Sequence, residues 1–100
     1  MLKRIKRGHA REIIIYLALI FELSYEITQW LLGKFEEPEL YARNRRDTII
    51  IWALYHKNST KVVNSLCEKY GCPKVGEFAD LESREVLRFM NKLRVICNDL

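Results

Sequence analysis

Apolar residues recur at intervals of three and four along most of this chain. Between His9 and Leu32 they are Ile13, Ile14, Leu17, Ile20, Phe21, Ile27, Trp30 and Leu31, and Gly33 follows where a helix C-cap is expected. This spacing predicts one long helix over 9–33. Its apolar arc is wide, because Ile15, Tyr16, Leu19 and Leu23 fall outside the main stripe. Both flanks therefore need covering. In a chain this short a second copy is the expected cover for one of them, giving a homodimer through Ile13–Trp30.

Pro38 suits the first turn of a short connector helix leading to Tyr41. A second long element is expected over Arg45–His56, where the isoleucine run Ile49-Ile50-Ile51 is β-prone taken alone. Ile49, Trp52, Ala53 and Tyr55 among flanking charges favour a buried helix there. Ser59 reads as a cap for a third helix to Tyr70, with Val62, Val63, Leu66 and Tyr70 on one face, and Gly71 and Pro73 end it. A short amphipathic piece, 74–82, precedes a last helix that starts at Ser83. On that helix Val86, Met90, Leu93 and Cys97 form an inward stripe with Leu87 and Phe89 beside it, while Arg84, Arg88 and Asn91 project away. The expected architecture is all-α, four to five helices in a single domain over 1–100, with no internal repeat and no low-complexity tract.

Charge adds a partner class. The 100 residues carry a formal net charge of +4, with pI about 9.1. The excess is uneven: Lys3, Arg4, Lys6 and Arg7 form a basic tail over 1–8, Arg43, Arg45 and Arg46 a second cluster, and Glu36, Glu37 and Glu39 an acidic knot between them. Separate basic clusters are compatible with a phosphate backbone. The arginines at 43–46 also have an internal reading, ion pairing with Asp47 and the nearby glutamates. No apolar run reaches bilayer length and no small-residue cleavage site follows the basic start, so the expectation is a cytoplasmic protein without a membrane partner.

The candidate chemistry for catalysis is thin. His9 and His56 stand apart, no glycine-rich phosphate loop is present, and the cysteines lack a nearby base. Cys67, Cys72 and Cys97 are too few and too irregularly spaced for a zinc knuckle or a secreted disulfide framework. A Cys72–Cys97 bridge remains open for an oxidising or very hot setting. Buried small hydrophobes is the plainer reading. Neither catalysis, nor metal, nor cofactor is expected. Trp30, Trp52, Tyr16, Tyr25, Tyr41 and Tyr55 are expected mainly in the core, with one or two at a subunit interface.

Taken in order, residues 59–97 give a helix ending at Gly71, a short piece carrying Phe78-Ala79, a tight turn at Asp80-Leu81-Glu82, and a helix with Val86, Phe89 and Leu93 inward. This order resembles the three-helix core of the helix-turn-helix and winged-helix DNA-binding superfamily, placed here over 45–97. The resemblance implies that the last helix enters the major groove of double-stranded DNA with Arg84, Arg88 and Asn91, with Ser83, Lys92 and Lys74 near phosphates. The tail residues Lys3, Arg4, Lys6 and Arg7 would lie along the backbone. Only Asn98-Asp99-Leu100 remain after Cys97, so little or no wing is expected. Transcription regulation is the function this implies. The alternative is a non-catalytic interaction or assembly subunit of a larger complex, possibly one containing nucleic acid.

Overall fold

The computed structural model describes residues 9–76 and 83–98, with side chains described for 10–76, 87–89 and 91–96. These residues form five helices and, among them, no strand: α1 (His9–Ile20), α2 (Tyr25–Lys34), α3 (Arg45–His56), α4 (Thr60–Lys69) and α5 (Ser83–Asn98). The all-α expectation holds. The long first helix does not; it is two helices folded back on each other.

The break between them is a local backbone event. Glu22 adopts the left-handed conformation at φ 53°, and the Leu23 amide donates to the Ala18 carbonyl, closing α1. Ser24 then caps α2, its hydroxyl accepting from the Ile27 amide at 3.1 Å. The expected stop at Gly33 lies inside α2, which ends at Lys34 with Phe35 as its C-cap, and Glu36 just beyond is also left-handed, at φ 56°. Glycine was the wrong signal here because two glutamates take the left-handed positions. A side chain there costs about 1 kcal/mol relative to glycine, and the bonds that close the helix outweigh it.

The same events recur 35 residues later, the separation of Glu22 from Lys57. Lys57 is left-handed at φ 56°, the Asn58 amide donates to the Ala53 carbonyl, and Ser59 caps α4. Gly71 takes the place of Glu36, at φ 70°. The cap backbones nearly coincide, with φ −70° and ψ 160° at Ser24 against −76° and 165° at Ser59. Identities at the same offset include Arg11/Arg46, Ile14/Ile49, Ile15/Ile50, Ala18/Ala53, Leu19/Leu54, Leu31/Leu66 and Pro38/Pro73. The chain therefore contains an internal repeat, contrary to expectation: two αα-hairpins, α1–α2 and α3–α4.

Each hairpin ends in a connector held by one side-chain amide. Gln29 accepts from the Leu40 amide at 2.8 Å and donates to the Leu40 carbonyl at 3.0 Å. Asn64 does the same to Val75, at 2.8 and 3.1 Å. Leu40 and Val75 are thereby pinned into the core. An arginine secures each connector as well. Arg11 donates to the Pro38 and Glu39 carbonyls, and Arg46 to those of Pro73 and Lys74.

The same two arginines join the hairpins. Arg11 pairs with Asp47 at 2.9 Å, and Arg46 with Glu12 at 2.5 Å. Such reciprocal pairing, with i touching j′ and i′ touching j, is what an approximate two-fold axis produces. Lys57 donates to the Glu22 carbonyl at 2.9 Å, so the two left-handed corners meet as well. Burial raises the cost of charging Arg46, but hydrogen bonding and attraction from Glu12 outweigh it, and its pKa lies above the usual value.

α5 is the element without a counterpart. Among the described residues it packs on α1, and it makes no close backbone approach to α4. α1 is consequently central. Ile13, Ile14, Ile15, Leu17, Ala18 and Leu19 are all buried by helices of the same chain, each large side chain contributing about 1.5–3 kcal/mol. Of the flank residues that called for a second copy, Ile15 and Leu19 are buried within the chain, and Tyr16 and Leu23 are half-buried.

Candidate nucleic-acid interface

α5 is seated by Phe89 and Leu93, both buried. Phe89 meets the Phe35 ring at 5.2 Å between centroids, and Leu93 faces α1 and α2 across a cavity of about 420 Å³ lined by Ile14, Leu17, Phe21 and Leu31. Phe89 is thus a core residue, inward beside Leu93 as expected of the last helix. Leu87, expected beside the buried stripe, is 57% exposed on the outer side. The side chains of Val86, Met90 and Cys97 lie outside the described residues.

Arg88 and Asn91 face solvent on the outer side of α5. Lys92 and Arg94 flank them. The Lys92 ammonium lies 5.9 Å from the Phe35 ring centroid, and Arg94 stands at the mouth of the cavity. Arg94 was not among the residues singled out from the sequence, although it lies three positions after Asn91 on the same helix. Lys74 sits apart from this group. It belongs to the second hairpin's connector, with its ammonium 3.7 Å from Glu68. Ser83 and Arg84 open α5, but their side chains, like Lys3, Arg4, Lys6 and Arg7, lie outside the described residues.

The arginines differ in what holds them, and Arg43, like Arg88 and Arg94, is exposed with no hydrogen bond or ion pair among the described residues. Arg11 and Arg46 are consumed in the hairpin clamps, and Arg45 donates to the Tyr70 carbonyl at 3.4 Å. The internal reading of the cluster at 43–46, ion pairing, therefore describes Arg46 alone, and its acid is Glu12 rather than Asp47 or the glutamates at 36–39; Arg45 meets only a backbone carbonyl. Among the described residues, the side chains of Arg88, Asn91 and Arg94 make no hydrogen bond or ion pair.

Among the described residues, the titratable and nucleophilic side chains are scattered. Burial pushes the Cys67 thiol above its ordinary value, with Arg46 offsetting part of the shift, so this cysteine stays protonated near neutrality. Cys67 and Cys72 are free thiols, and His56 caps α3 by bonding the Trp52 carbonyl at 2.9 Å. No group of three His, Cys, Asp or Glu side chains comes together among the described residues, and no described helix is long and apolar enough to cross a membrane. The aromatics depart from expectation: Trp30, Tyr41, Trp52 and Tyr55 are exposed, and Tyr16 and Tyr25 half-buried. No protein-family model, curated protein or solved structure matches the chain.

Proposed function

We propose that this chain is a small DNA-binding regulator that lays the outer face of α5 in the major groove. One observation carries the reading: Arg88, Asn91 and Arg94 are exposed and, among the described residues, make no hydrogen bond or ion pair, while Arg11 and Arg46 are held between the hairpins by Asp47 and Glu12. Arginine offers a planar fork to guanine O6 and N7, and asparagine pairs in the same way with adenine. Lys92 and Arg94, at the borders of the face, reach towards the flanking phosphates. In this protein the reading helix rests on α1, so the scaffold behind it is the first hairpin. Two copies would present α5 twice, with exposed Ile20, Phe21 and Trp30 as the apolar residues a second copy would cover.

Mobility shift on random duplex between 50 and 200 mM salt tests this. Binding that weakens steeply with salt is expected, since each phosphate contact releases counterions. The Arg88→Ala, Arg94→Ala double change should lower affinity by at least about tenfold with the fold intact. Absence of any shift at the lowest salt overturns the reading. Light scattering tests the paired arrangement, and a monomer that fails to pair even on DNA would remove it.

A second reading, an assembly subunit, is favoured by Leu87 and Val95, which are 57% and 62% exposed on the same strip as Arg88 and Asn91. Apolar residues between cations suit a protein partner. Changing both to serine separates the two readings: DNA affinity should hold in the first, and partner capture should fail in the second.

A further inference from the structure

The internal repeat gives each surface of one hairpin a counterpart on the other, and among the described residues no helix occupies the counterpart of the seat of α5. α5 rests on Ile14, Leu17, Leu31 and Phe35 of the first hairpin. At the 35-residue offset these become Ile49, Trp52, Leu66 and Tyr70 of the second. The backbone beneath is the same, but the burial is not. Leu17 is 3% exposed where Trp52 is 41%, and Tyr70 is 47% exposed where Phe35 is half-buried under Phe89.

The residue types have shifted in a consistent direction. Leucine and phenylalanine under α5 become tryptophan and tyrosine, side chains that keep a large apolar body and add one polar group. Such residues tolerate water before association and anchor a partner after it. This is a docking surface with a built-in template for its occupant, because α5 shows what a helix must carry to sit on that backbone: Phe89 and Leu93 at a spacing of four, with Ile96 beyond.

Charge defines the occupant further. On the first hairpin the ring of Phe35 is covered by Lys92, a cation that α5 brings with it, at 5.9 Å. On the second hairpin the ring of Tyr70 is covered by Lys69 of its own helix, at 5.5 Å. Arg45 adds a second cation at the rim, bonded to the Tyr70 carbonyl, where the first hairpin has Ala10. A helix arriving there with a lysine at the position of Lys92 would meet like charge. One with a carboxylate would be attracted and steered. The basic residues of α5 argue against α5 of a second copy, and Lys3, Arg4, Lys6 and Arg7 against the chain's own tail.

We propose that the α3–α4 face docks an acidic amphipathic helix of a partner protein, carrying a phenylalanine and a leucine four residues apart with a carboxylate just before the leucine. The surface is separate from the outer face of α5, so this interaction stands whether or not that face binds DNA.

The probe is a synthetic helix with the sequence of residues 83–98 in which Arg88, Lys92 and Arg94 are glutamate, titrated into the full-length protein and followed by tryptophan fluorescence and calorimetry. Binding is expected, at least tenfold tighter than for the unaltered 83–98 peptide, and weakened at least tenfold by Trp52→Ser with Tyr70→Ser. Lys69→Glu should remove the preference for the acidic peptide. Tyr41→Ser, an exposed aromatic of the first hairpin's connector, should leave affinity unchanged. Both changes fall on exposed side chains, and circular dichroism with thermal melting confirms that each variant is folded. Four results would overturn the proposal: no binding at millimolar peptide, equal affinity for both peptides, insensitivity to the Trp52/Tyr70 pair, or displacement of the peptide by a single-stranded oligonucleotide of higher affinity.

Discussion

In the first hairpin Leu17 lies beneath α5 and Leu31 beside it; in the second their counterparts Trp52 and Leu66 reach or approach solvent. The positions that shape the backbone follow the opposite rule. Ser24 and Ser59 cap in the same conformation, Gln29 and Asn64 clamp in the same way, and Arg11 and Arg46 bind equivalent connector carbonyls, those of Pro38 and Pro73. A change at a cap or clamp leaves a buried backbone group unsatisfied, whereas a change on an outer face costs little. Fold and surface have therefore separated within one chain, and the two hairpins present different faces on one scaffold.

The clamps offer the largest break in this equivalence. Gln29→Leu and Asn64→Leu each leave an amide and a carbonyl of a buried residue without partners, and each should cost about 2–4 kcal/mol in urea unfolding. The two losses should agree within about 1 kcal/mol. A loss below about 0.5 kcal/mol in only one of them would show that the hairpins are not held alike.

Next in size is Gly76, where the correspondence ends, since its counterpart is the exposed Tyr41. Gly76 has φ 84°, and a Cβ there would lie 2.9 Å from the Tyr16 ring. Gly76→Ala should cost about 1–3 kcal/mol by combining backbone strain with overpacking. Gly71→Ala, with φ 70° and open space around it, should cost only the backbone part, about 1 kcal/mol. Thermal melts of both, read against each other, separate the two contributions.

The left-handed corners predict gains. Glu36→Gly gives the first hairpin the corner residue of the second and should stabilise by about 0.5–1 kcal/mol. Gly33→Ala should gain a similar amount, because Gly33 is helical and its added Cβ would meet only the Glu39 carboxylate, at 3.9 Å. Unfolding midpoints for the two single variants and the double variant check both gains and their additivity.

The smallest effect concerns Cys67, whose counterpart Leu32 does not titrate. Its folded pKa is raised, so the neutral thiol is the form the fold favours. That contribution is complete below the unfolded pKa and is lost as pH rises through the folded one, above the ordinary value of 9.0. Stability should therefore fall more steeply on the alkaline side in the native chain than in Cys67→Ala, as read from denaturant midpoints across that range.

Much of the helical content was legible, because amphipathic spacing reports which face of a helix is buried. Arg45–His56 and the helix capped at Ser59 lie where the apolar pattern places them. The turn at Glu22 was hidden by strong periodicity on both sides of it, and by the habit of expecting glycine at a left-handed corner. Ser24 was its one local signal. The repeat was visible in principle: an arginine followed by an acid, two shared isoleucines and an Ala-Leu pair recur with Pro38 and Pro73 at one offset. The outer faces of the two hairpins have diverged, and they dominate the pattern of residue types along the chain. On α5, charge pattern alone picked out Arg88, Asn91 and Lys92. It could not show that Leu87 points outward, since that residue lies near the edge of the apolar stripe, whereas Phe89 was legible as inward beside Leu93.

By itself the sequence determined that this protein is a helical bundle with an amphipathic, basic last helix, because periodicity and charge are local properties of a chain. Only the tertiary structure decided which arginines remain available and which apolar residues stay exposed. Arg46 and Arg88 are chemically identical, and they differ because Glu12 and two connector carbonyls surround the first, while the second faces water. Leu17 and Trp52 likewise occupy equivalent positions and differ in burial because α5 has one seat to fill and the fold provides two.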